Sequence, residues 1–252
     1  MYVPALGGQG SPLFVAVHGI SRNAFELAHT FAGCCEECGV VLVAPLFAEE
    51  YFGDYQRLGR AGRGPRADAA LDSILEEVEW LTGADATQIH LFGHSGGAQF
   101  AHRYAMAYPH RVARAAIASA GWYTFPDRRK RYPYGIRSTQ DLPDVRFDPE
   151  DFLRVPITVL VGDRDTTGEQ MRSTERVNRQ QGETRVERAR NWVAAMRAEA
   201  KAHHLDSLVT LESIPGGDHS FTNLARSGRL GERVFSALFG AAFGRAGMGG
   251  HA

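Results

Sequence analysis

Short β-branched apolar runs alternate with stretches of helical period along most of this 252-residue chain, and few folds accommodate that alternation. The apolar runs lie at 13–17, 40–47, 89–92, 115–120, 157–161 and 208–214. Helical patterns cover 25–38, 68–81, 98–108, 185–205 and 221–239. The clearest is 68–81, where Leu71, Ile74, Leu75, Val78 and Leu81 recur at steps of three and four with acidic residues between them. Strands separated by helices imply βαβ units and a mostly parallel sheet covered on both faces. Right-handed crossovers make such a sheet doubly wound and place ligands at the carboxyl ends of its strands. Chemistry is therefore expected near 18–23, 93–97, 121–123, 162–166 and 215–219.

The segments outside this pattern are a Gly-rich loop at 48–65 and an irregular, proline-containing insertion at 122–154. Residues 1–243 read as one domain, and the Gly-rich stretch that follows, 244–252, as a flexible tail. A net charge of -1 and a pI near 6.8 offer no global attraction for nucleic acid or a membrane surface. No apolar run reaches the ~18 residues of a spanning helix. Residues 1–12 lack a basic stretch followed by an apolar one, so the expected location is cytoplasmic. Cys34, Cys35 and Cys38 are odd in number and bunched on one helical pattern. They read as reduced, buried thiols rather than a disulfide or metal framework. No Walker loop, dinucleotide fingerprint or zinc pattern is present, so no cofactor and no metal is expected.

One motif stands where chemistry is expected. Gly93-His94-Ser95-Gly96-Gly97 follows the run ending at Phe92 and precedes the helix beginning near Ala98. It fits G-x-S-x-G, the elbow that exposes a nucleophilic serine between a strand and a helix. With 28 glycines in the chain, chance supplies ~0.15 such matches, so the strand-to-helix setting carries most of the weight. A serine hydroxyl needs a base to take its proton, and the base needs an orienting acid. Downstream, Asp163 and Asp165 follow the fifth run, and Asp218-His219 follow the sixth. Asp163 lies too near the strand end to arch toward His219 and is expected to bond within its turn. Adjacency makes Asp218 awkward as the partner of His219. The expected catalytic set is Ser95, Asp165 and His219. Developing oxyanion charge calls for two backbone N–H donors, expected at Gly96 and at Ile20 in the loop after the first strand. Trp122, Tyr123 and Arg22 are candidate substrate contacts, the two aromatics serving alternatively as a plug under the insertion. Asn23 either braces the oxyanion loop or caps the next helix. The arginines at 57, 60, 63 and 66 and the RRKR cluster at 128–131 read as solvated loop charges, or else as attractors of a carboxylated or phosphorylated substrate.

On the motifs HG at 18–19, GHSGG at 93–97, GDRD at 162–165 and DH at 218–219, the chain resembles the α/β-hydrolase superfamily. HGISRNA, GHSGGAQFAHRY, AGWYTFPD, YPYG and VGDRDT look like the LpqC-like branch of the polyhydroxybutyrate depolymerase and feruloyl esterase group. The resemblance implies an α/β-hydrolase fold, here trimmed at the N-terminus to about six or seven strands. It also implies a serine hydrolase cleaving carboxylic esters through an acyl-enzyme on Ser95. Thioesterase, amidase or acyltransferase chemistry, or a non-catalytic binding protein on the same scaffold, are the alternatives. The expected partner is a small-molecule ester, with a homodimer possible. An insertion without helical period is not a full helical lid, so short-chain or compact aromatic acyl groups are expected.

Overall fold

The computed structural model describes residues 1–168 and 171–240; the Gly-rich tail of 244–252 lies outside them. Six strands form one sheet in the order β2-β1-β3-β4-β5-β6: β1 Pro12–Val17, β2 Val41–Val43, β3 Asp85–His94, β4 Val112–Ala118, β5 Ile157–Gly162 and β6 Val209–Ile214. All five pairings are parallel. An isolated antiparallel bridge joins Tyr2 to the β2 edge at Leu42.

The sheet divides the core in two because successive strand side chains face opposite ways. In β1, Leu13, Val15 and Val17 join one apolar cluster, while Phe14 and Ala16 join the other. Helices α2 (Ala67–Thr82), α3 (Gly96–Ala107) and α6 (Arg185–Ala202) cover the first face, and α1 (Ala24–Cys38) and α8 (Leu230–Phe239) the second. Helices α1 and α2 bury the stripe their period dictates, whereas every residue of α3 is buried. In α1 the stripe is Leu27, Phe31 and Cys35; in α2, Leu71, Leu75 and Val78. Leu81 of the expected α2 stripe is exposed, one residue before the helix ends. Helix α6 opens with a capping box between Thr184 and Glu187.

Three elements differ from the sequence reading. The run at 40–47 is a strand only over Val41–Val43. Pro45 has no N–H for a ladder, and Phe47 donates its own to the His18 ring, at 3.0 Å. The single helix expected at 221–239 is two, α7 (Phe221–Arg226) and α8, separated near Gly228 and the left-handed Arg229. An unexpected helix α5, Glu175–Gln181, is capped by Thr174. The insertion carries one short helix, α4 (Pro149–Phe152), and is otherwise irregular. It is tied down by Tyr132 Oη on the Arg57 carbonyl and by Thr124 Oγ1 on the Pro133 carbonyl. No helix among the described residues is long and apolar enough to cross a membrane.

Candidate active site

Three strand ends converge on Ser95. The elbow is built by contacts too close for side chains. A Cβ on Gly93 would lie 2.1 Å from the Gly97 carbonyl oxygen, and one on Gly97 would lie 2.0 Å from that of Val17. Ser95 is held at φ 54, ψ -112, a region L-residues rarely adopt. Its N–H donates to the Ala118 carbonyl across to β4, and its carbonyl accepts from Gln99 N–H in α3. The serine thus stands proud of the sheet at the start of α3.

Beyond β5 and β6 two turns meet. The loop after β6 presses Gly217 against Gly162, where a Cβ would be 2.2 Å from the Gly217 oxygen. This contact sets the Asp165 turn beside His219. His219 Nε2 lies 3.1 Å from Ser95 Oγ, and its Nδ1 lies 3.1 Å from Asp165 Oδ2. The alternative acids are engaged elsewhere. Asp163 Oδ1 accepts from Gly216 N–H, bridging to the neighbouring loop rather than bonding within its own turn. Asp218 accepts from Ser220 N–H and from Asn223 Nδ2 at the start of α7.

Asp165 is buried, and its second oxygen accepts from Arg185 Nη1 at 3.1 Å. Burial pushes the carboxyl up, but the His219 hydrogen bond and the Arg185 charge outweigh it and hold the group below the usual carboxylate range. Arg185, on α6, was not among the residues read from the sequence; its contact spans 20 positions and no local pattern announces it. His94, the variable position of the elbow, is a second residue to which the sequence reading gave no role. Its buried ring stacks on His219 with centroids 5.2 Å apart, and burial together with the His219 charge lowers its pKa to about 3. It therefore packs beside the base as a neutral ring.

The loop after β1 approaches from the other side. Arg22 N–H donates to the Gly19 carbonyl, closing a turn, with Arg22 at φ 59. A Cβ on Gly96 would lie 3.3 Å from Ile20 N, so the loop after β1 closes onto the start of α3. His18 braces this loop. Its Nδ1 faces the Gly19 carbonyl and its Nε2 accepts from Phe47 N–H, while Tyr55 Oη donates to the His18 carbonyl. Burial lowers the His18 pKa to about 4, which keeps the ring neutral and able to accept. Asn23 sits at the α1 N-cap, but its side chain donates to Glu26 and accepts from no helix N–H.

A cleft of about 280 Å³ opens over Ser95 and His219, lined also by Ile20, Glu26, Phe221 and Thr222. The expected substrate contacts divide. Arg22 is half-buried, its guanidinium 4.7 Å from the Tyr55 ring centre. Trp122 is 4% exposed, with the Arg103 guanidinium 4.3 Å from its ring. Tyr123 takes the other of its two expected places, a buried plug. It is fully buried, stacked on Trp192 and beside His102, and so packs in the core instead of offering a surface to substrate. Strand β4 ends at Ala118 and the backbone past Gly121 turns inward, which carries Tyr123 beneath α6.

Of the loop arginines, Arg57 pairs with Asp141, Arg60 with Asp54, and Arg66 with Asp68 and Asp144. Asp127 pairs with Arg129 and Lys130. The three cysteines are free thiols, and burial raises each of their pKa values. Among the described residues no group of three or more His, Cys, Asp or Glu side chains is gathered as a metal would require.

Against solved structures, the chain is similar to LpqC, a poly(3-hydroxybutyrate) depolymerase from Bordetella parapertussis. The two share 26% identity over 97% of this chain and 86% of that one, with a TM-score of 0.79. The fold is that of the α/β hydrolases. The chain is also similar to poly(aspartic acid) hydrolase-1 from Sphingomonas sp. KT-1, at 26% identity over 93% and 91% of the two chains and a TM-score of 0.78. An S-formylglutathione hydrolase from Agrobacterium tumefaciens, at 16% identity over 94% and 88% and a TM-score of 0.60, shares the fold alone. No family model and no curated protein matches the chain. Its solved structural relatives are thus esterases, depolymerases and related hydrolases on an α/β-hydrolase scaffold.

Proposed function

We propose that the chain is a serine hydrolase that cleaves carboxylic esters through an acyl-enzyme on Ser95. The observation that carries this reading is the continuous relay from Ser95 Oγ to His219 Nε2 and from His219 Nδ1 to Asp165, each step 3.1 Å. His219 takes the hydroxyl proton as Ser95 attacks the carbonyl, then returns it to the departing alcohol. Asp165 fixes the ring's tautomer and stabilises the imidazolium. The N–H groups of Gly96 and Ile20 receive the oxyanion, and the strained φ of Ser95 aims its hydroxyl at the same space. Water then attacks the acyl-enzyme, with His219 as base. The lack of a long helical element in the insertion favours short or compact acyl groups over long lipid chains.

The test is a panel of p-nitrophenyl and hydroxycinnamoyl esters, run beside labelling by a fluorophosphonate probe. Ser95→Ala is expected to abolish labelling and to lower kcat by ~10⁴ or more while leaving the fold intact. Ester turnover near the parent rate in that variant would overturn the mechanism. A marked preference for C12–C16 esters would overturn the acyl-size reading.

A further inference from the structure

The cleft over Ser95 and His219 is lined by one carboxylate and by no lysine or arginine. The carboxylate is Glu26, half-buried in the first turn of α1. Both of its oxygens are held by neutral donors. Thr222 Oγ1 donates to Oε1, and Asn23 Nδ2 donates to Oε2 at 2.8 Å. Among the described residues no ion pair reaches Glu26. The cation nearest in sequence, Arg22, is engaged elsewhere: its Nη1 donates to the Ile20 carbonyl and its guanidinium covers the Tyr55 ring.

The two hydrogen bonds tie α1 to α7 across the cleft, and the helix N-terminus favours the ionised form of an acid in its first turn. A neutral amide could brace the same two helices. What the acid adds is a negative charge on the wall of the cavity that holds the nucleophile. A carboxylate offers about four acceptor sites, and only two are filled here. A donor carrying positive charge would complete it best, because charge-assisted hydrogen bonds are the stronger ones.

The order of residues along the wall assigns that charge to one part of the substrate. His219, Ser220, Phe221 and Thr222 are consecutive, and all four line the cleft. The departing alcohol takes its proton from His219 Nε2. It therefore lies against the wall that begins at His219 and ends at the bond between Thr222 and Glu26. Ile20 and Phe221 give the same space apolar sides for methylene and methyl groups. We propose that the alcohol portion of the ester carries a protonated amine, held by Glu26 at the far end of this wall. This rests on the serine hydrolase reading above and specifies the leaving group of that same site. Ser95 Oγ displaces the amino alcohol, which departs with the proton from His219, and water then releases the acid. The ammonium takes no part in the proton transfer.

The probe pair is 2-(dimethylamino)ethyl acetate, protonated at pH 7, and 3-methylbutyl acetate, which places a C–H carbon where the first has its charged N–H. Acetate release is followed, with uncatalysed hydrolysis of each subtracted. The amine ester is expected to have a kcat/KM about tenfold or more above its neutral isostere at low salt, and the ratio to fall as salt screens the charge. Because the amine also makes the ester intrinsically more reactive, the decisive reading is Glu26→Gln, which keeps the size and an acceptor but removes the charge. There the ratio is expected to drop about tenfold. Both esters are measured on one preparation, so a smaller folded fraction cancels. Equal turnover of the two acetates, a ratio unchanged in Glu26→Gln or, should that variant not fold, a parent ratio indifferent to salt would overturn the proposal. An acyl-side pair, ethyl 4-(dimethylamino)butanoate and ethyl 5-methylhexanoate, should show no dependence on Glu26; a dependence confined to that pair would overturn the assignment to the leaving group. Turnover of neither acetate while a fluorophosphonate still labels Ser95 would overturn the proposal and leave the hydrolase reading standing. Neither turnover nor labelling would remove both.

Discussion

Replacing Arg185 by Met tests how the acid of the triad is held. Arg185 and Asp165 form an ion pair at 3.1 Å with side chains 1% and 0% exposed. Met fills much of the same volume but leaves the buried carboxylate without its guanidinium, with His219 still on the other oxygen. Breaking a buried pair from one side costs about 3–5 kcal/mol, chiefly because the remaining charge stays uncompensated. For a chain of this size each kcal/mol shifts Tm by about 2–4 °C, so a fall of about 6–20 °C is expected. Arg185→Lys keeps the charge without the fork and should fall between. The difference also depends on pH. The Asp165 carboxyl is held below its ordinary value of 3.8 in the folded protein. The stability it contributes is therefore present above that value and lost as pH falls through the lower, folded one. Removing Arg185 raises the carboxyl, so the gap between parent and variant should narrow on acidification. Thermal melts from pH 8 to pH 3 measure both effects. A Tm for Arg185→Met within about 2 °C of the parent at neutral pH would refute the reasoning.

Asp165→Asn is expected to lower kcat by about 10⁴ with little change in fold, because an amide leaves His219 in the wrong tautomer. Asp163→Asn weakens only the bond to Gly216 N–H, so chemical melts should show a cost of roughly 0.5–2 kcal/mol with activity retained. An active Asp165→Asn beside a folded but inactive Asp163→Asn would reverse the assignment. Three histidines set a separate acid limit. The pKa values of His18 and His90 are lowered by burial from 6.5 to about 4, and that of His94 to about 3. Between those values the unfolded chain binds protons that the folded one does not, so stability is complete above 6.5 and falls as pH drops toward 4. His90→Gln should flatten that slope by up to about 1.4 kcal/mol per pH unit in urea titrations; an unchanged slope would contradict a neutral, half-buried His90.

The sheet and its covering helices were legible because their signals are local. The unbroken apolar run of β1 and the three-and-four spacing of α2 each declare burial within a few residues. The elbow was legible for the same reason, since a serine between glycines at a strand end is a pattern of five consecutive positions. Helix α5 was not, because only Val177 and Gln181 of its seven residues are buried and two turns offer no period to read. The break between α7 and α8 falls on the polar step Arg226-Ser227-Gly228-Arg229, but apolar residues at helical spacing on both sides let the two read as one helix. His219 and Asp165 could be nominated from chain order and strand ends alone. Their meeting required the folded loops, since 54 residues separate them and the close contact of Gly217 with Gly162 joins their turns. Arg185 carries no local mark at all, and His94 is marked only as the variable position of the elbow. Their place beside the triad follows from α6 packing over β5 and from the pleat that turns His94 toward His219. Tyr123 shows the same limit from the other side. Its neighbour Trp122 and the end of β4 suggested a site aromatic, yet the inward turn of the backbone sets it against Trp192. A sequence declares periodicity, turn chemistry and the order of strand ends, because each is decided by neighbours along the chain. Which distant charges share a buried space is decided by packing, where contacts depend on three-dimensional distance and not on separation in sequence.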